Sequence, residues 1–160
     1  MQKYSIGSKV VHSPEGVCVV EAVCRMKLDG EEREMYKLRS TIEPEKLVYI
    51  PVDSAIMKLR LLKSRQEVLH LLQLEPEDRT FLAQNTMKRE KLQNQAIYGD
   101  DTSSIMKLLK LYTNKSRIKT LSILEKTWMK KAEQYLYSEI AEVLECEYTA
   151  LINSHYGIAC

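Results

Sequence analysis

The sequence predicts an α+β protein of two domains, a small, strongly bent β-sheet or barrel followed by a compact all-α domain. Three observations lead there. Residues 1–51 are dense in β-branched residues, set out in short runs between turn-forming pairs. After Pro51 the apolar residues recur at helical rather than alternate spacing. The charged "EPEDR" of residues 75–79 then separates two helical stretches, and with proline but little glycine or serine it reads as a short, stiff joint. These breaks place the expected boundaries at 1–52 for the β-domain, 53–79 for a helical connection and 80–160 for the helical domain.

The strands come first. "KVVH" (9–12) and "GVCVVEAVCRM" (16–26) are β-rich runs joined by the turn composition of "SPEG" (13–16). "LDGEE" (28–32) offers an Asp-Gly pair for a tight hairpin, because both central residues of such a turn need positive φ. "EMYKLR" (34–39) is the returning strand, and "KLVYIPV" (46–52) is a further one closed by Pro51.

The helices follow. "VDSAIMKLRLL" opens with Asp53 as an N-cap, and "SRQEVLHLLQL" opens with Ser64 and Glu67 at capping-box spacing. A polar helix over roughly 80–97 ends at "YGDD" (98–101). "TSSIMKLLKLYT" (102–113) carries Ile105, Leu108, Leu109 and Tyr112 on one stripe. The last long helix starts at "LSILE", where Ser122 and Glu125 form a second capping box, and runs to about Cys146. "YTALINSHYG" adds a short final helix.

Composition excludes several classes. No run has the apolar length to cross a bilayer, and "MQKYSIGSKVV" turns polar too soon for a signal peptide, so a soluble, cytoplasmic protein is expected. The four cysteines, Cys18, Cys24, Cys146 and Cys160, lack C-x-x-C spacing and paired histidines; small buried thiols are expected, with neither metal nor cofactor. His12, His70 and His155 stand apart, and there is no Ser/His/Asp or Cys/His grouping and no phosphate-cradling glycine loop. Asp100 and Asp101 precede a helix, where capping accounts for them. The chain does not read as an enzyme.

Charge is informative. The net charge of +2 hides a segment, residues 86–131, with 11 Lys and Arg against 4 Asp and Glu, and a C-terminal stretch, residues 132–160, with none against 5. Such confinement points to a polyanionic partner. "KSRIKTLSILEKTWMKK" (115–131) sits in the basic segment and holds the chain's single tryptophan. At 100° per residue Leu124, Trp128, Ala132, Tyr135 and Val143 share one broad helix face, so Trp128 reads as core. Lys126 and Lys130 lie on the opposite side, with Lys115, Arg117 and Lys119 in the connector beside them. Lys88, Arg89 and Lys91 add the same sign from the first helix of the C-terminal domain. With no base-reading motif in view, the expected DNA contact is to backbone or minor groove.

"YSIGSKVVHSPEGVCVVEAV", "GEEREMYKLR" and "VYIPVDSA", followed by "YGDD" and "LSILEKTWMKKAEQYLYSEIAEVL", resemble the CarD-like family of bacterial transcription regulators over nearly the whole chain. The N-terminal part resembles the module that family shares with the RNA-polymerase-interacting domain of transcription–repair coupling factor. The resemblance implies a Tudor-like β-domain that binds the RNA polymerase β-subunit lobe by strand addition. It also implies a helical domain that touches upstream promoter DNA, the two together stabilising the open promoter complex. Carried onto this chain, the polymerase contacts fall at Arg25, Met26 and Lys27 and at Lys46 and Tyr49. The DNA contacts fall at Lys88, Arg89, Lys91 and Lys126.

One departure stands out. Many members of that family place a tryptophan at the start of the first C-terminal helix and wedge it into the minor groove, whereas this chain has Asn85 or Thr86 at that slot. Met87 and Phe81 are the neighbouring apolar substitutes. Without a wedge, backbone electrostatics must carry the contact. A second reading therefore stands beside the first: a polymerase-binding adaptor whose helical half has lost DNA. Open strand edges also leave self-association by strand exchange possible.

Overall fold

The computed structural model describes residues 4–155, the side chains of Ile56, Met57 and His155 excepted. Cys160 and the end of "YTALINSHYG" lie outside the described residues. The chain divides into two compact units, Met1–Leu62 and Lys63–Cys160.

The first unit is a five-stranded antiparallel sheet in the order β4-β3-β2-β1-β5. Its strands are β1 (Lys9–His12), β2 (Gly16–Leu28), β3 (Glu31–Ser40), β4 (Leu47–Pro51) and the two-residue β5 (Leu59–Arg60). Asp29 and Gly30 both take positive φ, 50° and 83°, so the Asp-Gly pair makes the expected hairpin turn. The register pairs Val10 with Cys18, Val20 with Leu38 and Tyr36 with Ile50, which brings alternate residues of four strands onto one face. These residues, with Tyr4, Ala55 and Leu59, form the core. Tyr4 ties it together: its ring meets Tyr36 edge-on at 5.9 Å and its hydroxyl donates to the Leu59 carbonyl at 3.0 Å. A bulge between Val20 and Ala22 bends β2. There Glu21 reaches the Arg39 guanidinium at 3.0 Å and Lys37 at 3.5 Å.

After β4 a single 3₁₀ turn (Val52–Ser54) leads into the one-turn α1 (Ala55–Lys58) and then β5. Asp53 lies within that turn and makes no side-chain cap; Pro51 and Ser54 hold the flanking positions. The reason is tertiary. Buried Ala55 and Leu59 belong to the sheet's core, and β5 pairs with β1, so residues 53–60 fold back onto the sheet. The stretch 53–79 is thus shared between the two units.

His12 ends β1, is buried, and has no hydrogen-bond partner for Nδ1 among the described residues. Burial, aided by Lys58 and Lys46 and opposed by Glu15, holds its imidazole below the ordinary 6.5. The unfolded chain therefore takes up a proton that the folded one refuses. The stability this gives is complete above about pH 6.5 and falls as the pH drops toward the lowered native value. Thermal melts from pH 7.5 to 5.5 should show a decline that His12→Asn flattens; parallel declines would remove His12 as the cause.

The second unit is helical: α2 (Arg65–Leu72), α3 (Thr86–Tyr98), α4 (Thr102–Ser116), α5 (Ile123–Leu144) and α6 (Tyr148–His155). Ser64 caps α2, accepting from the Glu67 amide. A 3₁₀ turn (Arg79–Ala83) stands where the sequence suggests the start of a longer helix. Gln84 closes it, its amide donating to the Phe81 carbonyl, and Asn85, whose side chain accepts from the Lys88 amide, starts α3 afresh. Asp101 caps α4, while Asp100 accepts a hydrogen bond from the Tyr135 hydroxyl. Ile105, Leu108, Leu109 and Tyr112 are all buried, as the α4 stripe requires.

Helix α5 packs against α2, α3, α4 and α6, so its middle is buried nearly all round. Met129, Leu136 and Ile140 join Trp128, Ala132 and Tyr135 inside, whereas Leu124, expected on that face, is 54% exposed although Leu121 and Glu125 on either side of it are buried. Of the thiols, Cys18 is buried, and burial raises it to about 12; Cys24 is half-buried and Cys146 exposed, so the buried-thiol expectation holds for Cys18 alone among the described three. No helix among the described residues is long and apolar enough to cross a membrane.

Candidate polymerase and nucleic-acid interfaces

The two sets of candidate polymerase residues lie on different edges of the sheet. Among the described residues β4 pairs only with β3, so its outer side is an open edge there. The Lys46 carbonyl accepts from the Ser40 amide, which turns Lys46 toward β3. By strand alternation the amides of Leu47 and Tyr49 then face outward. Both side chains are also exposed. Lys46 itself is engaged by Glu15 at 2.6 Å, and that bond raises its pKa.

Arg25, Met26 and Lys27 sit in the outer half of β2, opposite Glu34, Arg33 and Glu32 of β3. β1 pairs with β2 only as far as Val19, so among the described residues no strand pairs with the other side of this half, across the sheet from the β4 edge.

The eight candidate DNA contacts separate into two groups. Arg89 and Lys115 turn toward Glu125, a carboxylate 8% exposed: Lys115 Nζ lies 2.7 Å from Oε2 and Arg89 at 3.6 Å. Glu125 Oε1 accepts from the Ser122 amide at 2.9 Å, completing the capping box. One carboxylate thus joins α3, α4 and the start of α5. Burial pushes Glu125 up, but Lys115 and Ser122 together outweigh it and hold the group below its ordinary 4.5. Local spacing identifies Glu125 as half of a cap; its two long-range partners have no local signal.

Lys88, Lys91, Arg117, Lys119, Lys126 and Lys130 all remain exposed. Lys119, Lys126 and Lys130 line one groove of about 590 Å³ beside the α4–α5 connector, with Leu121 and Met129 buried beneath it. Glu133 lines the same groove, so its three lysines face one carboxylate; the excess of positive charge in a concave site attracts polyanions. Lys131, passed over in the sequence reading, lies 4.7 Å above the Tyr98 ring and donates to its hydroxyl.

A CarD-like/TRCF RID domain model matches residues 4–63, and a CarD C-terminal domain model matches residues 67–153. The chain belongs to the CarD-like family. It is a transcription-related, RNA-polymerase-interacting protein. No curated protein matches the chain. The two matched regions follow the structural division at Leu62 and Lys63 closely. Of the two positions where the resemblance would put a tryptophan, Asn85 caps α3 and Thr86 is its first residue. Phe81 is 7% exposed and packs edge-on against Tyr112 at 6.5 Å, whereas Met87 is 82% exposed. Trp128 packs on Tyr112 at 5.8 Å inside the unit.

Proposed function

We propose that the chain binds the β-subunit lobe of RNA polymerase through the β4 edge, with Arg25, Met26 and Lys27 as a second contact. The helical unit then rests against upstream promoter DNA and holds the promoter open. The observation that carries the DNA half is the exposure of six cations on one helical unit, three of them around a single groove. No base-reading element accompanies them, so the contact is to phosphates and weakly selective for sequence.

The polymerase half is tested at Tyr49. Proline there removes an outward amide without touching a β3–β4 hydrogen bond, and edge strands tolerate proline. Tyr49→Pro should lower affinity for the isolated β lobe at least about tenfold, the equivalent of one or two backbone hydrogen bonds. Circular dichroism should show the sheet intact. Undiminished lobe binding by a folded Tyr49→Pro protein would remove strand addition at β4, and Arg25→Glu then tests the opposite edge.

The DNA half is tested with salt. Six phosphate contacts imply that duplex affinity falls about a thousandfold between 50 and 200 mM salt. Lys126→Glu with Lys130→Glu should shrink the slope of log K against log salt by about two. The adaptor reading draws on Arg89 and Lys115 being held by Glu125 and on the capped wedge slot. A flat salt dependence and unchanged promoter opening by the double variant would favour it.

A further inference from the structure

We infer that the groove beside the α4–α5 connector binds a nucleoside triphosphate. This goes beyond the DNA reading and does not need it, although both use the same lysines. Lys119 comes from the connector, while Lys126 and Lys130 stand on successive turns of α5, so three lysines line the groove from two segments. The ion pairs described in this unit fall on Lys63, Arg89 and Lys115 and on none of these three. Three clustered cations suit a chain of linked phosphates.

The rest of the groove distinguishes a nucleotide from a duplex. Leu121 and Met129, 9% and 2% exposed, give it an apolar bottom. A duplex backbone has nothing apolar to set there, whereas a base ring does. Glu133, itself buried, stands at the far end of the same groove, where its negative charge disfavours phosphate and leaves that end to the base or ribose. From Lys126 to Glu133 the helix rises about 10 Å, close to the reach from a terminal phosphate to a base. The volume of about 590 Å³ lies in the range of small-molecule sites.

The test is calorimetric titration of the full chain with adenosine or guanosine triphosphate, inorganic tripolyphosphate and the unphosphorylated nucleoside, without divalent cations. Saturable binding is expected for at least one triphosphate, weaker binding for tripolyphosphate and none for the nucleoside. Lys119→Gln and Lys130→Gln should each weaken the nucleotide about tenfold, the loss of one charge-assisted hydrogen bond. Thr120→Trp, at an exposed position in the groove lining, fills the groove without changing charge and should abolish nucleotide binding. Equal affinity for tripolyphosphate and nucleotide would overturn the inference, since the site would then be a bare phosphate seat. Full nucleotide binding by Thr120→Trp would overturn it by placing the ligand elsewhere. Duplex binding without any nucleotide binding also overturns it, while leaving the DNA reading standing.

Discussion

Glu125→Leu is expected to destabilise the helical unit by about 3 kcal/mol, because removing one member of a buried ion cluster leaves its partners desolvated and unpaired. The side chains of Arg89 and Lys115 are 17% and 22% exposed, so water compensates them in part and the larger losses seen for fully buried pairs do not apply. Loss of the capping box adds about 1 kcal/mol. For a unit of this size the sum corresponds to a fall in melting temperature of roughly 15–30 °C. Glu125→Gln, which can still accept from the Ser122 amide, should fall between wild type and Glu125→Leu. Replacing all three residues, with Glu125→Leu, Arg89→Met and Lys115→Met together, should recover most of the loss, since a buried ion cluster and an apolar one are often of similar stability. Urea unfolding followed by circular dichroism reads all three. Equal stability of Glu125→Leu and wild type would mean that the cluster is held by its surroundings and contributes nothing itself. The same carboxylate gives an acid limit with a definite sign. Its pKa is lowered in the fold, so its contribution is present above about pH 4.5 and fades as the pH falls through the native value. That loss begins below the window in which His12 acts, so the two contributions separate along one pH series.

This cluster also shows where sequence reading ends. The hairpin at Asp29–Gly30, the stripe on α4 and the cap at Ser122 are legible because each is specified by residues within a turn or two of one another. The same local logic suggests Asp53 as a cap and a helix running unbroken from about residue 80. The first fails where distant packing decides, the second at a local cap, Asn85 with the Lys88 amide, that lies inside the expected helix. β5 draws residues 53–60 onto β1, and Asn85 restarts the helix after a separate 3₁₀ turn. Arg89 and Lys115 are counted with the exposed cations in the sequence because a positive side chain carries no local mark of the carboxylate it will meet 36 or 10 residues later. Exposure in the fold, not charge in the sequence, separates the cations free to meet a phosphate from those that hold helices together.

Trp128→Ala is expected to cost about 3–5 kcal/mol, the usual range for deleting a buried aromatic. The tryptophan is 6% exposed and packs on Tyr112, which in turn meets Phe81, so a cavity there opens between α4, α5 and the turn before α3. Trp128→Phe should behave differently. The indole Nε1 is buried with no acceptor among the described residues, an arrangement that costs about 1–3 kcal/mol. Phenylalanine forfeits part of the ring's burial but removes the orphaned donor, so the two terms nearly cancel and the net change stays within about 1 kcal/mol. Because Trp128 is the chain's single tryptophan, its fluorescence reports the same point without mutation. Emission should be blue-shifted, shielded from iodide and unmoved by saturating duplex. A tryptophan used as a minor-groove wedge would instead be exposed in the free protein and quenched on stacking with bases. DNA-dependent quenching would therefore return Trp128 to the interface, and with it the question of what Met87, exposed at the start of α3, is doing there.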